Sequence, residues 1–189
     1  MPLIEISLPK TIAKALRLPA SSPRRQQLKV LKKLLKNARF TEFGQQYRFD
    51  EILLNKHPGK KFQQLVPAYD YSSIYKQWWH RTLEGHPDVC WPGKIKYYAL
   101  SSGTSEAASK YIPITEDLLK GNRMVMVKQL FSLRHYDGIP FSNLGKGWLM
   151  LGGSTQLQKG QGYYAGDLSG ITAKKVPFWF TPFYKPGKK

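Results

Sequence analysis

The stretch Tyr97-Tyr-Ala-Leu-Ser-Ser-Gly-Thr-Ser-Glu-Ala-Ala-Ser-Lys-Tyr-Ile-Pro-Ile-Thr115 decides the fold. Residues 95–100 read as a strand, and 110–114 as the strand that follows it. A small polar turn joins them. Thr115 then caps a helix running to about 134, with Glu116 and Asp117 in its first turn, where carboxylates meet the positive end of the helix dipole. The turn is also the segment equipped for chemistry. Ser101, Ser102, Thr104 and Ser105 surround Gly103, and glycine permits a tight turn and a close backbone approach. Successive N–H groups in such a turn can aim at one anion. The hydroxyls add donors and Lys110 adds charge. This is a sensible triphosphate cradle, although not a Walker loop, because Gly-x-x-x-x-Gly-Lys-Ser/Thr is absent. The same residues also make an ordinary turn between strands, and their chemistry alone leaves both readings open.

Working outward, Leu119, Met126, Leu130 and Leu133 give the 115–134 helix its buried stripe. Residues 147–152, with Trp148-Leu149-Met150-Leu151, read as a buried strand. Beyond Gly153 the chain is rich in Gly, Tyr, Ser and Pro and shows no clear period. Near the end, Phe178, Trp179, Phe180, Phe183 and Tyr184 need a surface to cover them. Upstream, Asp70 is a good N-cap for a helix over 71–83, striped by Tyr71, Ile74, Tyr75 and Trp78 and closed by Gly85. At that spacing Trp78 is expected in the core. His57-Pro58-Gly59 reads as a turn, 62–67 as an extended entry, and 49–56 as a short helix. The clearest helix is 24–38. It places Leu28, Leu31, Leu34, Leu35 and Ala38 on one face and Arg25, Lys29, Lys32, Lys33 and Lys36 on the other, with Gly44 as the stop after it. Residues 1–22 read as a lead carrying a helical turn or two near 11–17. Helices and strands mixed at these spacings predict an α/β fold, a β-sheet with flanking helices.

The 189 residues suffice for one sizeable core. The net charge of +18 points to a polyanionic partner: nucleic acid, an anionic membrane, ATP, or an acidic remainder of a longer chain. Lys and Arg are scattered rather than run together, which favours no one of these. With 13% aromatic residues, a small basic nucleic-acid-binding module is the alternative to an enzyme. No apolar run is long enough to span a bilayer and no secretory pattern opens the chain, so no membrane partner is expected. Cys90 is the single cysteine, which excludes an intrachain disulfide and fits a reducing, cytoplasmic setting. Cys90 reads as a passive thiol. His57, His80, His86 and His135 lack metal-ligand spacing, Asp88 and Asp167 read as exposed aspartates, and no metal site is assigned to protein residues.

The turn resembles the phosphate loop of acyl-adenylate-forming enzymes, Ser-Ser-Gly-Thr-Thr-Gly-x-Pro-Lys, except that Lys110 arrives one residue later. That offset is similar to the acyl-acid amido synthetases of the auxin-responsive family, whose loop reads roughly Ser-Ser-Gly-Thr-Ser-x-x-x-x-Lys. Flanking segments resemble the family too: Val66-Pro67-Ala68-Tyr69-Asp70, Gly93-Lys94-Ile95, Pro113-Ile114-Thr115-Glu116 and Leu144-Gly145-Lys146-Gly147. Two departures stand out. Glu106-Ala107-Ala108 occupies positions where relatives place a glycine, and the family's adenine- and ribose-binding motifs have no match in 120–189.

The resemblance implies the N-terminal portion of a bacterial-type member. Residues 1–22 would be a lead. Residues 23–189 would be a partial large domain of an adenylate-forming enzyme, ending before the adenine-binding motifs and the C-terminal domain. The parent is expected to be a ligase using ATP and Mg²⁺. It would join a carboxylic acid to AMP and pass the acyl group to an amine or amino acid, while the fragment alone is expected to be inactive. On this reading Ser101, Ser102, Gly103, Thr104, Ser105 and Lys110 bind the phosphates, and the 71–83 and 115–134 helices help wall the acyl pocket. The partners are then the substrates and the remainder of the parent chain, not nucleic acid.

Overall fold

The computed structural model describes residues 22–101, 109–132, 142–143, 146–149, 153–176 and 183–185. The chain opens with α1 (Pro23–Ala38), where Pro23 occupies the first turn and the Ser22 side chain accepts from the Arg25 N–H. Proline suits that position because its missing N–H would have no helical partner there. Leu35 and Ala38 are buried as the spacing predicts, whereas Leu34 lies at the margin and remains 41% exposed. The punctuation after α1 is Thr41 rather than Gly44. The Thr41 hydroxyl donates to the Ala38 carbonyl at 2.7 Å and accepts from the Gly44 N–H at 3.1 Å, opening α2 (Glu42–Gln46). Gly44 sits inside α2, where a Cβ would lie 2.1 Å from the Ala38 oxygen. Glycine is therefore required for a close approach, not for a helix stop.

Next come α3 (Phe49–Leu54) and α4 (Pro58–Leu65). The second corrects the expected turn at 57–59 and the extended entry over 62–67. Pro58 begins a helix instead of breaking one, again at its first position. Leu35, Ala38, Phe49 and Ile52 form a helical core, with Leu31, Phe43, Phe62 and Trp91 packed around it. Asp70 caps α5 (Tyr71–Ile74) through a reciprocal capping box with Ser73. A π-helical turn (Tyr75–Trp79) and α6 (His80–Leu83) continue the rod, and Gly85 leaves it at φ +86°. Trp78 is half-buried and packs edge-on against Phe43 with ring centroids 5.1 Å apart, so it lies on the rim of the helical core and not inside it as expected.

The sheet begins at β1 (Tyr97–Leu100) and β2 (Tyr111–Ile114), an antiparallel pair. Then follow α7 (Glu116–Ser132), β3 (Trp148–Leu149), β4 (Gln158–Lys159), β5 (Tyr164–Gly166), α8 (Leu168–Lys174) and β6 (Tyr184–Lys185). The four-stranded sheet runs β2-β1-β5-β4, with β5 parallel to β1 and antiparallel to β4. The expected buried strand over 147–152 is, as far as described, a two-residue ladder between β3 and β6. Leu149 there is 69% exposed, because no described layer packs over this ladder.

Side-chain alternation along β1 builds two cores, as the twofold strand period requires. Ala99 joins Ile114, Leu119 of α7 and Ile171 of α8 on one face. Tyr98 joins Ile95 and Ala165 on the other, against Leu83 and Trp91. The fold is thus a mixed α/β arrangement, a central sheet with helices on both faces. Trp91 packs against both the helical core and the Tyr98 core and joins the two. Across the other face, Lys175 reaches from the end of α8 to Glu116 at the start of α7 (3.1 Å) and lies over the Tyr97 ring. Among the described residues, no helix is long and apolar enough to cross a membrane.

Candidate functional site

The hairpin between β1 and β2 is closed at its mouth by one hydrogen bond, from the Ser101 N–H to the Lys110 carbonyl at 3.2 Å. The two ends of the predicted loop therefore face each other at the carboxyl end of β1. Because β5 is parallel to β1, its carboxyl end lies at the same sheet edge. Ligands of open α/β sheets bind beyond this type of edge. Ser101 and Lys110 are thus brought together, while Ser102, Gly103, Thr104 and Ser105 lie outside the described residues, as does Glu106.

Lys110 is exposed, and its ammonium stands 5.2 Å over the ring of Tyr71. No carboxylate among the described residues pairs with it. Asp70 is close enough to feel the Lys110 charge, but its carboxylate is engaged in the α5 cap. Oδ1 accepts from the Ser73 hydroxyl at 2.6 Å and the Ser73 N–H at 2.7 Å. Those two bonds, with a smaller contribution from the Lys110 charge, hold its carboxyl below the usual aspartate range. The Tyr71 hydroxyl accepts from the Tyr111 N–H at 2.9 Å, so α5 is bonded to the first residue of β2.

Beneath the hairpin lies a tyrosine cluster that reasoning from sequence missed. Tyr98, Tyr111 and Tyr163 meet edge to face with centroids 5.2 to 6.3 Å apart. Tyr98 is fully buried and donates its hydroxyl to Thr82 at 2.9 Å, and burial pushes its phenol up to about 12. The only signal was the tyrosines themselves, one in each of three separate segments at 98, 111 and 163. What joins them is contact between distant segments. Other candidates fall away. Burial pushes the Cys90 thiol up to about 12, which makes it the passive thiol expected. Asp88 accepts the Gly93 N–H at 2.7 Å and serves a turn. Among the described residues, no three His, Cys, Asp or Glu side chains group as metal ligands.

An apolar cavity of about 330 Å³ lies on the helical side and is lined by residues that include Leu35, Phe43, Phe62, Ile74, Trp79 and Trp91. The 71–83 rod thus walls an apolar space through Ile74 and Trp79, whereas α7 contributes nothing to this lining.

The family model described as the GH3 family N-terminal domain matches residues 13–187. The chain belongs to the GH3 family. Two solved structures share its fold. The AtGH3.15 acyl acid amido synthetase in complex with 2,4-DB superposes with a TM-score of 0.64 at 23% identity, over 90% of this chain. The GH3.15 acyl acid amido synthetase superposes with a TM-score of 0.65 at 22% identity, over 93% of this chain. The chain spans 30% of the length of each of these GH3 structures. No curated protein sequence matches it.

Proposed function

We propose that this GH3 domain supplies the triphosphate-holding hairpin of an ATP-dependent acyl-acid amido synthetase. The observation that carries the reading is the closed mouth of the hairpin, where Lys110, in no ion pair among the described residues, faces Ser101 across the backbone at the carboxyl edge of the sheet. In the reaction a carboxylate attacks the α-phosphorus of ATP, forming acyl-AMP and releasing pyrophosphate. An amine or amino acid then attacks the acyl carbon, forming an amide and releasing AMP. The hairpin contributes position and charge: the hydroxyls of Ser101, Ser102, Thr104 and Ser105 donate to phosphate oxygens, Gly103 admits a close approach, and Lys110 balances charge. These donors suit a polyanion. Mg²⁺ in such sites is held largely by the phosphates and one or two carboxylates, so it needs no dedicated protein cage. In this reading residues 1–22 are a lead and 23–189 the first part of the large domain.

The test is pyrophosphate release by the full natural chain given ATP and a panel of carboxylic acids and amino acids. Thr104→Ala removes one hydrogen bond to a charged oxygen and is expected to lower kcat/KM about 10- to 100-fold. Unchanged turnover in Thr104→Ala would remove the loop from the mechanism.

One observation favours a second reading. Arg25, Lys29, Lys32, Lys33 and Lys36 are all exposed on α1, with no ion pair to any of them among the described residues. A phosphate backbone would fit such a stripe. Duplex DNA and single-stranded RNA titrated between 50 and 200 mM salt decide the matter. The hairpin reading expects affinity to vanish into the non-specific range, about 10⁻⁴ to 10⁻⁶ M, at the higher salt. Sub-micromolar binding there would favour the nucleic-acid module.

A further inference from the structure

We propose that Tyr71 is the positioning residue for Lys110: its ring carries the ammonium, and its hydroxyl pins the peptide from which that side chain hangs. The inference rests on the hairpin reading and adds a residue to it. The peptide unit joining Lys110 to Tyr111 is held from both sides. Its carbonyl accepts the Ser101 N–H at 3.2 Å, and its N–H donates to the Tyr71 hydroxyl at 2.9 Å. The two groups of one peptide point in opposite directions, so one bond faces β1 and the other faces away. β2 is an edge strand, and its outward N–H would otherwise have no strand partner. Tyr71 therefore fixes the backbone at the end of the loop and, through the same side chain, the direction in which the lysine leaves it.

The choice of a ring over a carboxylate has a chemical consequence. A carboxylate at this place would pair with the ammonium and compete with an incoming phosphate. The face of an aromatic ring attracts the cation without cancelling its charge. The neighbouring acid, Asp70, is occupied by both bonds from Ser73. Tyr71 is itself held, as the first residue of the capped α5 and by stacking on Tyr75 with centroids 5.7 Å apart. The arrangement holds a mobile side chain in place and leaves its charge for an anion.

MgATP affinity of the full natural chain, measured by calorimetry, tests this without knowledge of the acid. Lys110→Met is expected to weaken binding about 10-fold or more, as loss of a charge-assisted phosphate contact. Tyr71→Leu is expected to weaken it about fivefold, the scale of a cation–π contact. Tyr71→Phe retains the ring and should recover most of that loss. In a Lys110→Met background, Tyr71→Leu should add less than about twofold, since contacting residues that act as a unit are not additive. A full fivefold cost persisting in that background, or no cost in Tyr71→Leu alone, overturns the positioning role and leaves the hairpin reading standing. No effect of Lys110→Met sinks both. Should Tyr71→Leu fail to fold, Tyr71→Trp carries the test. A Trp face holds an ammonium at least as well, so affinity within about twofold of the parent is expected, and a loss matching Lys110→Met overturns the proposal.

Discussion

Gly170→Ala is expected to destabilise the fold by about 3 kcal/mol, while the same substitution at Gly121 stabilises it by up to about 1 kcal/mol. Both glycines lie within helices, α8 and α7. In a helix interior alanine outperforms glycine because it loses less backbone entropy on folding. At Gly121 nothing lies within 4 Å of the added Cβ, so that gain stands alone. At Gly170 the added carbon would lie 2.0 Å from the backbone oxygen of Ser154. Backbone cannot rotate away as a side chain can. Relief requires α8 to lift off the 153–157 segment, and α8 carries Ile171, fully buried against Ala99 and Leu119. Urea unfolding of the two variants beside the parent measures the difference. Shifts of the same sign would mean that α8 does not pack on this segment.

Ile52→Ala is expected to cost about 2–5 kcal/mol. Ile52 is wholly inaccessible, packed with Leu35, Ala38 and Phe49 in the helical layer. The site is closed by residues of three helices, so little collapse into the vacated space is available and the cost should fall in the upper part of that range. The loss should appear in a single transition seen alike by tryptophan fluorescence and by circular dichroism, because Trp91 packs on both the helical core and the sheet core. A cost under about 1 kcal/mol would show that the helical layer is not a close-packed core.

Much of the architecture was legible where the signal is local. The caps at Asp70 and Thr115 were readable because a short polar side chain before an apolar period has one favoured use, and both accept the expected backbone N–H groups. The two strands flanking the loop were readable to within two residues. Pro58 was misread because proline serves equally in a turn and at the first position of a helix, and only the packing of α4 against α1 and α3 distinguishes them. β5 was missed for a different reason. Tyr164-Ala165-Gly166 is too short to show a period, and it is a strand only because β1 pairs with it. The same holds for the candidate site. Ser101 and Lys110 were visible as residue types in a pattern. Tyr71 was visible only as part of a helical stripe, because the partner that gives it a role, the Tyr111 N–H, lies 40 residues along the chain.

The parallel pairing of β1 with β5 also sets an order of events. Tyr97 cannot find Tyr164 until the chain as far as β5 has left the ribosome. The helical layer, which closes through contacts between near neighbours in sequence, has no such delay and can collapse first. The Ser101–Lys110 hairpin falls between the two regimes: its antiparallel pair forms early, yet the strand that flanks it on the other side arrives late. During synthesis the inner edge of β1 therefore stands open for longer than any other part of the described sheet. That edge is where a nascent copy of this domain is most exposed to pairing with the wrong strand.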